Sequence, residues 1–243
     1  AHTGYFSQPY AHVREGETDF RGEYLYTPEE LAELILPMHR RGWQIAVHAN
    51  GDAGIETVLL AYEKVQRIMP RPDARHLIIH AQYATRNQLA RMVRAGVYPC
   101  FFTAPLYFWD EIHAREVGEE RVNDFCPLAD AEQLGLRFNL HTDSPILPVD
   151  PLLQVQIAVT RTSRSGATRG RHQAVSVHTA LRAVTIDAAF LNGEEHVKGS
   201  LAPGKYADFV ILERNPLAVP ADEIKDIPVV ATIVGGREVY RQA

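Results

Sequence analysis

Short, nearly unbroken apolar runs recur along this chain at Trp43–His48 (WQIAVH), His76–His80 (HLIIH), 97–103 and Leu136–Thr142 (LRFNLHT). Runs of this kind predict strands buried on both faces, as in parallel sheets. Longer stretches with helical spacing lie between them. Thr27 reads as an N-cap, Pro28 suits the first helical position and Glu30 completes a capping box, so LAELILPMHRR is a helix, kinked at Pro37 and ended by Gly42. A long amphipathic helix follows Gly51 and Gly54 and runs to about Met69, where Pro70 and Pro72 stop it. Further helices are expected from Thr85 to Gly96, over 127–134, over 151–161, and from a Ser176 cap to about Leu191.

Three stretches fit neither period. Residues 1–26 read as loop, 104–126 as an aromatic and charged excursion, and 162–174 as a loop rich in Arg, Ser and Gly. Strand and helix alternate elsewhere up to residue 197, which predicts right-handed βαβ units and a parallel sheet. That sheet is either half of an eight-stranded β/α barrel or a small open doubly wound sheet. No Gly-rich phosphate fingerprint follows the first strand. Residues 198–243 change character: β-branched runs and a Gly235-Gly236 hairpin signal predict a small β-rich appendage.

Composition narrows the classes. A length of 243 residues, 46% of them hydrophobic, suffices for a sizeable core. A net charge of −5 gives no basic footprint for nucleic acid. No apolar run is long enough to span a bilayer and no signal-peptide pattern opens the chain, so no membrane partner is expected. Cys100 and Cys126 are read as buried free thiols rather than a disulfide, which places the protein in a reducing cytoplasm. The chain opens on Ala1, not Met, and reads like the middle of a longer protein.

The chemistry sits at the strand ends. His48 closes IAVH, His80 closes LIIH, and Asp143 follows NLHT. In a parallel barrel the C-terminal strand ends converge on one face, so these three side chains can meet. Imidazole nitrogen with carboxylate oxygen suits zinc or another first-row divalent ion. Asp143 can also take a proton from water. His141 points to the same face two residues earlier; it is either an additional ligand or a layer beneath the site that orients Asp143, and the second is preferred. The plainer alternative is that each histidine is a hydrogen-bonded core residue. The excursion, with Trp109, His113 and Arg115, is either a substrate loop or an aromatic patch on the rim. Arg161, Arg164, Arg169 and Arg171 read as a solvated loop in preference to a site for an acidic substrate.

VHANGD at 47–52, IIHAQ at 78–82, HTDSPILPVDPL at 141–152 and the tail KGSLAPGKYADFVILERNPL…TIVGGREVY resemble the amidohydrolase superfamily, and most nearly the branch called amidohydrolase family 3, which includes N-substituted formamide deformylases. The likeness covers nearly the whole chain in order. It implies an α/β fold: the C-terminal half of a TIM-like barrel, strands five to eight, in residues 1–197, with part of a small β domain in residues 198–243. It also implies a metal-dependent hydrolase acting on amide or other C–N bonds of a small molecule, with zinc as the expected metal. His48 matches the ligand after the fifth strand, His80 that after the sixth, and Asp143 the ligand and general base after the eighth. Tyr83, Trp109 and His113 are candidate substrate contacts.

Two family features are absent from this chain. None of its 11 histidines forms a His-x-His pair. None of its lysines, Lys64, Lys198, Lys205 and Lys225, follows a buried strand to serve as a bridging ligand. Both would lie before Ala1. Half a barrel leaves two raw sheet edges, so an N-terminal half chain or a second copy is expected as partner. Two other readings stay open: an inactive remnant acting as a binding or structural protein, and a metal-dependent esterase or phosphoesterase.

Overall fold

Thr27 does what its sequence context requires. Its Oγ1 accepts the Glu30 backbone N–H at 3.1 Å while the Glu30 carboxylate accepts the Thr27 N–H at 2.8 Å, closing a capping box at the head of α1, Pro28–Arg40. The computed structural model describes residues 3–13 and 19–242. Helix α1 continues through Pro37 and buries Leu31, Ala32, Ile35 and His39. It leads into β1, Ala46–Ala49, and then α2, Asp52–Ile68. The buried positions of α2 are Ile55, Val58, Leu59, Ala61, Tyr62 and Val65, the spacing of one helical face.

Next come β2 (His76–His80), α3 (Arg86–Ala95) and β3 (Val97–Phe101). Gly96 ends α3 in the left-handed region at φ 63°, a C-cap that glycine adopts without a Cβ penalty. Then α4 (Ala104–Val117), α5 (Leu128–Gln133) and β4 (Asn139–Leu140) complete a four-stranded parallel sheet in the order β1-β2-β3-β4. Register pairs Ala49 with His80 and Phe101 with Leu140, so the C-terminal ends of the strands lie level. The Tyr62 hydroxyl donates to Ile45 O and Leu77 O, both at 3.0 Å, and ties α2 to the start of the two strands.

The chain continues through α6 (Pro151–Thr160), α7 (Val177–Ala183) and α8 (Ile186–Leu191). A separate antiparallel sheet follows, in the order β5 (Phe209–Leu212), β6 (Val229–Val234) and β7 (Arg237–Arg241). The expected Gly235-Gly236 turn joins β6 to β7, with both glycines at positive φ.

Several expectations are corrected. The first strand is shorter than WQIAVH and is not buried on both faces: Trp43 is 63% exposed, and β1 pairs only with β2 among the described residues. A strand at a sheet edge has no second neighbour to seal it. The excursion 104–126 is mostly helix α4, broken internally at Trp109 (φ −137°, ψ 24°) and followed by a 3-10 turn, Arg121–Asp124. The fourth strand shrinks to two residues. The final helix is two helices, because Thr185 leaves helical geometry (φ −130°, ψ −98°) while its hydroxyl donates to Leu181 O at 2.7 Å. The Arg loop is only partly solvated: Arg161 is fully buried, donating to Arg169 O at 3.1 Å and Cys126 O at 3.2 Å and also to Phe125 O. Cys100 and Cys126 are both buried and unpaired. Among the described residues no helix is long and apolar enough to cross a membrane.

Candidate metal centre

The level strand ends bring three predicted residues together. One ligand atom from each of His80, His141 and Asp143 lies within 4.8 Å of the others. His80 is the last residue of β2 and has φ 74°; Asp143 follows β4 at φ 56°. Left-handed backbone costs a residue with a Cβ roughly 1 kcal/mol. His80 lies at the end of its strand and Asp143 three residues beyond its own. Strain of this kind concentrates at functional sites.

A ligand atom of His141, which the sequence favoured as a layer beneath the site, falls within this group. Its ring lies 5.0 Å from that of His80, centroid to centroid, and stacks on Phe102 at 5.0 Å. His48 lies outside the group of three. Its ring packs edge-on against His80 at 4.5 Å, it is exposed, and Asn50 Nδ2 lies 3.4 Å from its Nε2.

The chemistry of the set fits a divalent cation. His80 Nδ1 and His141 Nε2 are both sealed from solvent and have no hydrogen-bond partner among the described residues. A buried polar atom left unpaired costs about 1–3 kcal/mol, and here two such atoms belong to the group that also holds a carboxylate. Burial pushes the His80 imidazole down to about 4, with the neighbouring His141 and His48 adding to the effect and Asp143 opposing it. Burial lowers His141 as well, against the pull of Asp143 and the Cys100 backbone. Neutral imidazoles beside a carboxylate are the protonation states that metal binding requires.

A cleft of about 460 Å³ opens beside this group. His48, His80 and Asp143 line it, and so do all three predicted substrate contacts, Tyr83, Trp109 and His113. The Tyr83 hydroxyl lies 3.1 Å from His113 Nδ1. The break in α4 falls at Trp109, one of the lining residues.

Sequence reasoning missed the role of the opening loop. Thr3, Gly4, Phe6 and Tyr10 form a wall of the cleft. The loop is tied down by Gly54 N–H donating to Tyr5 O at 3.1 Å and by the Tyr10 hydroxyl donating to Gly4 O at 2.8 Å. Gly51 is needed for this approach, since a Cβ there would stand 2.1 Å from Tyr5 O. The available signal was the density of aromatics in a segment with no helical or strand period. Gln82 was also missed; it is buried, lines the cleft and donates to Phe102 O at 3.2 Å.

With this geometry in view, comparison with known proteins is specific. A sequence model of the amidohydrolase family matches residues 1–240. The chain is 28% identical to the putative amidohydrolase YtcJ of Bacillus subtilis, over 99% of this chain and 45% of that protein. It is 28% identical to the N-substituted formamide deformylase of Arthrobacter pascens, over 92% of this chain and 41% of the relative. Among solved structures, an uncharacterized metal-dependent hydrolase from Pyrococcus horikoshii superposes with a TM-score of 0.76 at 28% identity, covering 92% of this chain and 44% of that one. The chain thus spans less than half the length of each of these relatives. The match along nearly its whole length shows that this chain belongs to amidohydrolase family 3, a family of hydrolases.

Proposed function

We propose that this chain carries the metal-binding and proton-transferring side of a hydrolase that cleaves amide or other C–N bonds in a small molecule. The observation that carries the reading is the convergence of His80, His141 and Asp143 with two sealed, unpartnered imidazole nitrogens. His80 and His141 offer nitrogen and Asp143 offers oxygen, a donor set suited to zinc; His48, at the rim, is the fourth candidate. A divalent ion held there supplies Lewis acidity, which acidifies water and polarises a carbonyl. Asp143 accepts the proton of the attacking water and returns it to the leaving nitrogen. The cleft holds the substrate beside Asp143, with Tyr83, Trp109 and His113 on its wall.

In this reading the parallel sheet is strands five to eight of an eight-stranded barrel, residues 1–197, and residues 198–243 are part of a small β domain. The coverage of under half of each relative supports it, as do the unpaired outer edge of β1 and the apolar residues Tyr24, Leu25 and Tyr26 exposed beside it. The remaining strands come from an N-terminal half of the barrel or from a second copy. The two buried free thiols fit a reducing cytoplasm.

Elemental mass spectrometry of the purified protein tests the site. We expect about one zinc or similar ion per chain, lost in His80→Ala and in Asp143→Asn. No bound metal after incubation with excess zinc would overturn the proposal. A panel of amides, esters and phosphotriesters then separates C–N hydrolysis from the esterase and phosphoesterase alternatives.

A further inference from the structure

One pair of side chains in the cleft is left unused by the hydrolysis just described. The Tyr83 ring packs edge-on against Phe6 and Phe125, and the His113 ring packs edge-on against Phe125, so both are held in place. Tyr83 Oη and His113 Nδ1 are 3.1 Å apart. Proton counting gives the direction of that bond. Tyr83 is buried, and its hydroxyl has no other partner among the described residues. Were Nδ1 the donor, the hydroxyl proton would be left without an acceptor, a loss of about 1–3 kcal/mol. The hydroxyl therefore donates to Nδ1. A neutral imidazole carries one N–H, which must then be on Nε2. Burial pushes His113 down to about 4, so the ring is neutral near pH 7.

Nε2–H has no protein partner among the described residues, and it is not one of the sealed polar atoms. His113 lines the same cleft as His80 and Asp143. The remainder of the wall sets apolar Phe6, Phe102, Trp109 and Ile112 beside polar Thr3, Asn50 and Gln82, and among the described residues no Lys or Arg lines it. A fixed, uncharged donor in a wall without Lys or Arg suits an uncharged acceptor, and the apolar side chains suit an apolar substituent.

We infer that His113 Nε2–H donates to an oxygen of a neutral amide with an apolar substituent, and that Tyr83 is the positioning residue that holds the imidazole in the donating tautomer. The inference rests on the amide-hydrolase reading of the site.

The test uses the whole chain with N-benzylacetamide as probe. Long-range proton–nitrogen spectra report the His113 tautomer directly. We expect the Nε2–H form in the unmodified protein, with the Nε2 signal shifting as the probe is added. Tyr83→Phe, which keeps the ring and removes the hydroxyl, should mix the tautomers and weaken probe binding about tenfold, the equivalent of one buried hydrogen bond. His113→Gln, which offers an amide N–H, should recover most of the affinity lost in His113→Leu; a purely structural histidine would show no such rescue. An Nδ1–H tautomer, a protein that does not bind the probe, or Tyr83→Phe and His113→Leu variants that bind it as the unmodified protein does would each overturn the inference. The tautomer needs no variant, so it decides the point even if Tyr83→Phe fails to fold. Zinc content is measured on the same samples. Zinc bound with probe affinity indifferent to these variants would overturn the role of His113 alone. Zinc absent, with the Nε2–H tautomer and probe binding as expected, would overturn the metal reading alone.

Discussion

Acidifying this protein should destabilise it through a histidine outside the candidate site. Ile45 N–H donates to His76 Nδ1 at 3.0 Å, so that nitrogen carries no proton. His76 Nε2–H then donates to His39 Nδ1 at 2.8 Å, and His39 Nε2–H to Met69 O at 2.8 Å. Every ring nitrogen of these two buried histidines is used. A further proton on His76 can only go to Nδ1, where it would face the Ile45 N–H donor to donor. Burial, with His39 and Arg71 adding to it, pushes His76 from 6.5 down to about 4. The unfolded chain takes up this proton as pH falls through about 6.5, and the folded one only near pH 4. Stability contributed by neutral His76 is therefore fully present above the unfolded value and is lost as pH falls from about 6.5 to about 4. That depression corresponds to about 3 kcal/mol in all, most of it lost by pH 4.5.

The perturbation that isolates this effect is His76→Gln. Its Oε1 can accept the Ile45 N–H and its Nε2 can donate to His39, but it does not titrate. Urea unfolding, followed by the fluorescence of Trp43 and Trp109, is measured for both proteins from pH 7 to pH 4.5. Buried histidines that do not touch His76 contribute equally to both curves and cancel in the difference. The unmodified protein should lose about 2–3 kcal/mol more than the variant over this interval. Parallel stability–pH curves would refute the reasoning, because they would mean that His76 binds its proton equally well in both states.

Removing the imidazole of His141 should decide whether it is a ligand: as a ligand, His141→Ala abolishes metal binding as completely as His80→Ala does, whereas loss of a supporting group lowers metal affinity about 10–100-fold; isothermal titration with zinc distinguishes the two. Asp143→Asn should abolish hydrolysis with little loss of stability, since Asn tolerates the left-handed backbone found there, and a thermal melt checks that the fold persists. Gly51→Ala should loosen the opening loop, because the new Cβ would meet the Tyr5 backbone at 2.1 Å; a cost of about 1–3 kcal/mol and faster proteolysis near Tyr5 are expected. Thr27→Ala removes the capping box of α1 and should cost about 1 kcal/mol, read by urea unfolding.

What the sequence determined by itself is local. Thr27 with Glu30, Thr85 with Gln88, and Ser176 each bond within a few residues, so the caps they form can be read without knowing the fold. The apolar run His76–His80 and the helical spacing of Ile55 to Val65 likewise announce their own burial. Alternation of such units implies a parallel sheet, and a parallel sheet gathers its strand ends, which made His80 and Asp143 legible as a pair. Tertiary structure decided what depends on distant neighbours. Whether a strand is an edge is a property of what stands beside it, so the exposure of Trp43 could not be read from WQIAVH. Arg161 looked solvated because its partners, the carbonyls of Phe125 and Cys126, are far away in sequence. The place of His141 within 4.8 Å of His80 and Asp143 depends on how two strand-end segments, distant in sequence, are set in space. The Tyr83–His113 pair joins a residue after β2 to one in α4, and its proton can be assigned only from their contact.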